Sequence, residues 1–600
     1  MKAPELVVVG LDGAVDAYVA EKAEKGLLPN FARLLKRGCR LTDLRPPHPT
    51  VTPVCWGAFV TGATPELNGI VSDLLHLSGS LSRPQSGYHG DYLLGERFWE
   101  SAAKAGKTAL VDSLPLSGPL RDRSGKIWQV EGTSCMPGRM LLPDSSLEYE
   151  GVPQQIWLFD AEMMPLPSMK EIRMLSPSPA ERKEEKIVLQ VKMDFPGCNR
   201  DGLLPFFWEA EFEEGQFTLF CEGKKIPLSP GVWAEEIRRT LPAKDGKKVP
   251  HVFRFLLLPV SEGFLLFASA SCNIVSRVFP EEFAFLLEGL PPTPVEREYI
   301  FFNTPGTYRI AMESWRKHNS WHIELLRRAL KKRVPDILVT YFGDVDVVNH
   351  LAWNVYSGAV PADGEKKKFV ERAFLEIYEE ADRLLGYFLD EVADDDTTIL
   401  VLSDHGSIGV PEPKGVRSVL EQAGLLHFLD KEKRVADCGK SSAIDCGYGN
   451  IFVNLAGREP DGIVPQEEYT KTVNRIIAAL QEFYRSPDGA SALAFAVRRE
   501  EAGFFGLGGS RCGDVVYGLS AGNSAGTVHA DQIPTAKNVY GSMRCLGLLS
   551  GPGIAGNTIL DTPVTLMDLA PTLCRRLSVP LPKGCNGRIV QELADTKKIR

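Results

Sequence analysis

Thr397-Thr398-Ile399-Leu400-Val401-Leu402-Ser403-Asp404-His405-Gly406 is the stretch whose reading decides the fold. A β-branched and leucine run stops abruptly on an acid, an imidazole and a glycine. Buried parallel strands read as such runs, and ligands of open α/β sheets sit just beyond the carboxyl ends of strands. Asp404 and His405 offer one hard oxygen and one borderline nitrogen, a mixture that zinc takes. Alone, the stretch reads equally well as an Asp capping a loop beside an exposed His.

The surrounding chain repeats the pattern. Upstream, an amphipathic helix over about Phe369 to Val392 leads into this strand from another, Asp336 to Phe342, completing a βαβ unit. That earlier strand is preceded by a helix, Trp321 to Leu330, and ends on Gly343-Asp344-Val345-Asp346-Val347-Val348-Asn349-His350. Asp346 and His350 are four apart, so a helical turn puts them on one face. Asp344 is a rival that lacks this step to His350, and an Asp after a strand is often only an N-cap. Glu5 to Gly13 is a third buried-strand run, ending on Asp12-Gly13. Three strands therefore end on Asp, and two of them bring a His.

Between these runs lie helices. Pro29, near the start of Leu28 to Gly38, and Gly38 at its end bound a helix with Phe31, Leu34 and Leu35 on one face. Thr52-Pro53 reads as an N-cap followed by proline, with Gly62 at the far end. A hydroxyl held there sits in a positive field that favours an alkoxide and a phosphate alike, although most capping threonines are only caps. Cys55 reads as a helix core residue. His48, His76 and His89 are set aside, since most lone histidines are not ligands.

From about 125 to 300 the character changes. Alternating stretches such as Ile187 to Met193 and Phe217 to Phe220 predict antiparallel β structure, an insertion in which Cys198 and Cys221 are packing residues. Phe255 to Val260 and Phe264 to Phe267 are interrupted by Ser261-Glu262-Gly263 and predict a hairpin, not a membrane span. After the insertion, the C-terminal part adds a helix from roughly Glu467 to Phe483, the strand Cys545 to Leu549 and the helix Met567 to Cys574.

Totals narrow the classes. Six hundred residues exceed one core, so two or three domains are expected. A net charge of -9 argues against a nucleic-acid surface. Twelve cysteines without a CxxC pair indicate neither a disulfide framework nor a zinc knuckle. Met1 runs straight into a strand, so a cytoplasmic protein with free thiols and no membrane partner is expected.

Together the strand-end loops supply Asp12, Thr52, Asp346, His350, Asp404 and His405, with His529 from Gly526-Thr527-Val528-His529. Three acids, three imidazoles and one hydroxyl suffice for two adjacent divalent ions that clamp an in-line phosphoryl displacement. On these residues the chain resembles the alkaline phosphatase superfamily, specifically its type I phosphodiesterase/nucleotide pyrophosphatase branch and the group of predicted phosphohydrolases or phosphomutases within it. Val8 to Gly13, Thr52-Pro53 through Trp56 to Thr61-Gly62, Asp346 through His350 and Ser403 to Gly406 carry the resemblance. Gly457-Arg458-Glu459-Pro460, Gly551 to Ile554 and Asp568 to Thr572 complete it.

The resemblance implies a three-layer α/β/α sandwich with a mostly parallel sheet. Residues 1–124 and 301–600 would form the catalytic core, and 125–300 a β-rich cap. It also implies a phosphohydrolase acting through a phospho-threonine intermediate. One ion would take Asp12, Asp404, His405 and the nucleophile Thr52, and the other Asp346, His350 and His529. Mixed Asp/His sites favour zinc, with manganese as the alternative. The expected partner is a small phosphate ester, a diester ahead of a monoester. Two positions depart from the pattern: Asp73 stands where the family carries a phosphate-holding Asn, and Asn68 where it carries a His before Gly-Ile. Both count against a nucleotide substrate. Asp73 and Lys440 are the expected substrate contacts, although a solvated lysine is the plainer reading of Lys440. A phosphomutase using the same site and a non-catalytic metal-binding protein of the same fold are the rival readings.

Overall fold

Strands β1 (Leu6–Leu11), β2 (Cys39–Leu41), β3 (Ala109–Asp112), β4 (Ile337–Phe342), β5 (Thr398–Leu402), β6 (Gly547–Ser550) and β7 (Thr558–Leu560) hydrogen-bond in the order β3-β4-β1-β5-β6-β2-β7. These coordinates are a computed structural model. It describes residues 3–131 except 78, 80, 82–83, 119 and 123, and residues 305–595 except 412–414, 431–434, 521–522, 524–527, 530–531 and 534–540. Between 132 and 304 it describes 155–160, 180–183, 186–193, 206–213, 216–221, 224–242, 248–260, 263–268, 277–279, 283, 286 and 288. By contacts the chain divides into a larger unit, Met1–Gln129 with Ala329–Arg600, and a smaller one, Val130–Arg328. The second boundary falls inside the helix Pro305–Lys332, which begins well before the Trp321 start read from sequence. Residue 301 itself lies outside the described residues.

β1 lies between β4 and β5 and runs parallel to both, with Gly10 opposite Tyr341 and Leu402 and Leu11 opposite Phe342. The three acidic strand ends therefore emerge side by side at one edge. β6 turns antiparallel against β5 and β2, and the other pairs among these seven strands are parallel. β1, β4 and β5 are buried throughout, which is why they read as unbroken apolar runs rather than alternating ones.

Helices α1 (Asp16–Glu24), α2 (Pro29–Arg37), α3 (Thr52–Thr61), α4 (Phe98–Lys104), α5 (Asp344–Tyr356), α6 (Gly364–Tyr387) and α7 (Leu566–Arg576) form two packing groups. One joins α1, α2, α5 and α6; the other joins α3, α4 and α7. Successive residues of β4 point to opposite faces. Tyr341 meets Trp56 of α3 at 5.7 Å between ring centroids, and Phe342 meets Phe388, just past α6, at 6.4 Å. Helices thus cover both faces of the sheet, in three layers.

A second, smaller sheet in the same unit pairs Ala443–Asp445, Asn450–Val453, Val515–Ser520 and Leu493–Arg498, with Gln532–Ile533 parallel to the third of these. It has its own core, including Leu420, Ile451, Val453, Ile476, Leu480 and Leu519. The smaller unit is antiparallel where described. Ala180–Lys183, Lys186–Met193, Phe206–Glu213, Gln216–Cys221 and Lys224–Leu228 make one sheet, and the hairpin Phe255–Val260 with Gly263–Ala268 adds Gln155–Asp160. Cys198 and the side chain of Cys221 lie outside the described residues. Among those residues no helix is long and apolar enough to cross a membrane, and the cysteines are free thiols.

Candidate metal centre

Asp12 follows β1 directly, Asp404 and His405 follow β5 after one serine, and Asp346 and His350 share a face in the first two turns of α5. Gly13 closes the gap between these segments. Its N–H donates to Asp404 Oδ1 at 3.1 Å, and its carbonyl accepts from Asn349 Nδ2 at 2.7 Å. His529 arrives from elsewhere, on the segment just before Gln532–Ile533 of the second sheet, and its Nδ1 lies 2.7 Å from the Thr50 carbonyl. That contact sets His529 two residues from Thr52.

The resulting cluster is closely spaced; Asp12, Asp404, His405 and His529 are buried, whereas Asp346 and His350 are partly exposed. His405 Nε2 lies 3.6 Å from Asp12 Oδ1 and 3.4 Å from Asp404 Oδ2. Asp346 lies 3.3 Å from His350 Nε2 and 3.6 Å from His529 Nε2, and those two nitrogens are 2.9 Å apart. The rings of His405 and His529 stack at 3.8 Å, so the two groups adjoin. Asp12, Asp404 and His405 hold mutual ligand-atom distances within 4.8 Å, and so do Asp346, His405 and His529.

Asp12, Asp404, His405 and His529 are each held through one atom by a group outside the cluster. A carbonyl can only accept, so His405 Nδ1, 3.0 Å from the Gly406 carbonyl, carries its proton. His529 Nδ1 does the same toward Thr50. Asp12 Oδ2 accepts from the Tyr341 hydroxyl at 2.6 Å and from Trp56 Nε1 at 3.3 Å. Asp12 Oδ1, Asp346 Oδ1, Asp404 Oδ2 and His405 Nε2 are buried without a hydrogen-bond partner. Buried polar atoms normally have one, and ligating atoms held by outer partners are the usual construction of a metal site.

Electrostatics agree. Burial, then the charge of Asp346, pushes the Asp12 carboxyl up, and burial with Asp12 and Asp346 pushes Asp404 far up. Burial also opposes the charge on Asp346, but His350 and His529 outweigh it and hold that carboxyl low. For His350 burial is outweighed by Asp346, which holds the ring up; burial and then His405 push His529 far down. Among the described residues the ion pairs of these three carboxylates are with histidines. Adjacent buried carboxylates without Lys or Arg need cations, and the donor set fits divalent ions.

Thr52 is buried at the start of α3. It is the first helical residue rather than the N-cap: Val51 caps without a side-chain bond, in extended conformation. Pro53 thus sits one position further in, where a missing N–H still costs nothing. Cys55 is fully buried, as the sequence suggested.

Asp73 and Lys440, the two expected substrate contacts, both have local partners. Asp73 Oδ1 accepts from Ser72 Oγ at 3.0 Å and from the Tyr448 N–H at 3.2 Å, engaged in joining two loops. The Lys440 side chain is 73% exposed and pairs with Asp437 at 3.1 Å, so it is not gathered with the buried cluster. Asn68 bridges the Ala63 carbonyl and the Ile70 N–H, a loop brace. His76 pairs with Glu459, and His48 contacts the Tyr517 carbonyl. Gly526 and Thr527 lie outside the described residues. Sequence reading missed Tyr341 and gave Trp56 no role; the one signal was the pair of hydroxyls, Thr340 and Tyr341, at the end of an otherwise aliphatic strand.

The profile of a family described as type I phosphodiesterase/nucleotide pyrophosphatase matches residues 6–157 and 269–530. No curated protein gives a significant match. Among solved structures, a variant of alkaline phosphatase PafA superposes with a TM-score of 0.50 at 13% identity, covering 99% of this chain and 100% of that one. Murine ectonucleotide pyrophosphatase/phosphodiesterase 5 in complex with AMP gives 0.43 at 12% identity, covering 96% of each chain. Phosphonoacetate hydrolase from Sinorhizobium meliloti in complex with phosphonoacetate gives 0.43 at 16%, covering 94% of each. The fold is alkaline-phosphatase-like.

Proposed function

Because this chain belongs to the type I phosphodiesterase/nucleotide pyrophosphatase family, whose members hydrolyse phosphate esters, we propose that it is a two-metal phosphodiesterase with Thr52 as nucleophile. The observation that carries the reading is the set of four buried ligand atoms without hydrogen-bond partners, on Asp12, Asp346, Asp404 and His405.

In this reading Asp12, Asp404, His405 and Thr52 hold one ion, and Asp346, His350 and His529 the other. His405 also lies within reach of Asp346 and His529. It is given to the first ion because its free Nε2 faces Asp12 and Asp404. Zinc suits the mixed carboxylate and imidazole donors. Bound ions would supply the positive charge that eases loss of the threonine proton and departure of the leaving oxygen.

The chain's own residues do the rest. The first turn of α3 holds Thr52 where the helix dipole favours negative charge on the hydroxyl oxygen and on a phosphate. That oxygen attacks phosphorus, the bond to the leaving alcohol breaks, and phospho-threonine forms. Water then attacks the same phosphorus, the bond to the threonine oxygen breaks, and the hydroxyl regains a proton. Gly13, Tyr341, Gly406 and Thr50 keep the ligands oriented throughout.

Thr52→Ala tests this directly on bis(p-nitrophenyl) phosphate. Loss of a nucleophile within an otherwise intact site is expected to lower kcat by at least about a thousandfold, with zinc content retained. Turnover within tenfold of the parent would rule out a threonine nucleophile.

A further inference from the structure

Asp12 is anchored differently from the other carboxylates. A backbone N–H holds Asp404, whereas two side-chain donors converge on one oxygen of Asp12: the Tyr341 hydroxyl at 2.6 Å and the Trp56 indole N–H at 3.3 Å. Trp56 stands on α3 one helical turn beyond Thr52. Its ring is fully buried and lies edge-on to Tyr341, with planes at 81°. Against β1 it fills the place of a missing side chain, since a Cβ added at Gly10 would stand 2.6 Å from the indole Cη2.

An indole nitrogen can only donate, so Trp56 cannot itself hold a cation. What it can do is fix the carboxylate. A carboxyl group with both oxygens unengaged rotates freely about its last bond, whereas two donors on Oδ2 hold that bond and leave Oδ1 as a single presented ligand. Oδ1 is the atom found buried without a partner. Because the donor rides on the helix that carries Thr52, moving that helix against β1 would disturb Asp12 and the hydroxyl together.

The geometry points to Trp56 as a positioning residue that couples the nucleophile helix to the metal ligand Asp12 and selects Oδ1 for the ion. This assignment rests on the metal reading given above. Generic core packing would need only the ring; the coupling needs the N–H.

Trp56→Phe separates the two, because phenylalanine keeps an aromatic ring against Gly10 and Tyr341 but has no donor. Zinc binding is measured by competition with a chelator of known affinity, alongside kcat and KM on bis(p-nitrophenyl) phosphate. Outer-partner losses typically weaken metal binding 10- to 100-fold. Trp56→Phe is therefore expected to weaken one of two zinc sites by about tenfold or more and to lower kcat with KM nearly unchanged. Zinc affinity equal to the parent's at both sites would overturn the assignment, whatever the activity. Should Trp56→Phe not fold, Gly10→Ala offers a second route, since its methyl group presses the intact indole off β1; the same weakening is expected, and unchanged zinc affinity again overturns the assignment. A parent protein that takes up no zinc, or an Asp12→Asn variant that keeps both ions, would sink the metal reading itself. Two ions in the parent, one in Asp12→Asn and both at full affinity in Trp56→Phe would sink only the role given to Trp56.

Discussion

Gly13 holds the left-handed conformation at φ 66°, and a Cβ there would lie 2.8 to 2.9 Å from Asp346, its backbone included. It lets the end of β1 touch the start of α5 while its N–H holds Asp404. Gly13→Ala meets both the conformational cost, about 1–2 kcal/mol, and a backbone clash. We expect at least about 2 kcal/mol lost in urea denaturation and reduced zinc content; a stability within 0.5 kcal/mol, roughly the scatter of neutral surface changes, would contradict the role. His48 gives a pH dependence. Burial pushes its imidazole down to about 4, so between about 4 and the unfolded value near 6.5 the unfolded chain binds the extra proton. Stability from this residue is therefore full above about 6.5 and lost as pH falls to about 4, roughly 3 kcal/mol in all. His48→Gln should flatten the stability slope in that window, measured by denaturant titration at several pH values; an unchanged slope would refute it. Asp12, Asp404 and His405 were legible as residues because each closes a hydrophobic run. Asp73 and Lys440 were read by resemblance to a family pattern; in the structure Asp73 accepts from the Tyr448 N–H and Lys440 pairs with Asp437.

At the level of elements, legibility follows burial. β1, β4 and β5 are buried along their whole length, so their sequences are dominated by aliphatic residues up to the edge of the sheet, with Thr340, Tyr341 and Thr398 the polar exceptions. The start of α3 was off by one residue because Val51 caps without a side chain, leaving no signal in the sequence. His529 was the hardest candidate to place. Nothing local prescribes it: the pairing of Gln532–Ile533 with Val515–Ser520 and the contact with Thr50 position it through tertiary structure. The far end of α3 is fixed more simply. Gly62 ends the helix at φ 64°, and a Cβ there would meet Cys585 Sγ at 2.7 Å and Pro571 of α7 at 3.0 Å. Gly62→Ala is predicted to cost about 1–3 kcal/mol, read from thermal or urea unfolding. A cost near zero would mean the α3–α7 contact yields easily.

Across the whole molecule, the change of sequence pattern places a β-rich insertion over 125–300, while contacts divide the chain at Gln129/Val130 and at Arg328/Ala329. A long helix crosses the second boundary, and periodicity cannot show where along one helix the partners change. The core unit, by contrast, gathers three carboxylates and three imidazoles at one edge of its sheet. Ions that bind only the folded state stabilise it by mass action, about 2.7 kcal/mol per site at a free concentration 100 times Kd. Chelation should therefore lower the unfolding temperature and abolish activity, with zinc restoring both; an unfolding temperature indifferent to chelator would speak against ions at this site. The most direct measurement is anomalous diffraction from zinc-soaked crystals. The account predicts two peaks, one bounded by Asp12 Oδ1, Asp404 Oδ2 and His405 Nε2 and one by Asp346, His350 and His529, whereas density without a peak there, or zinc bound only elsewhere, would contradict it.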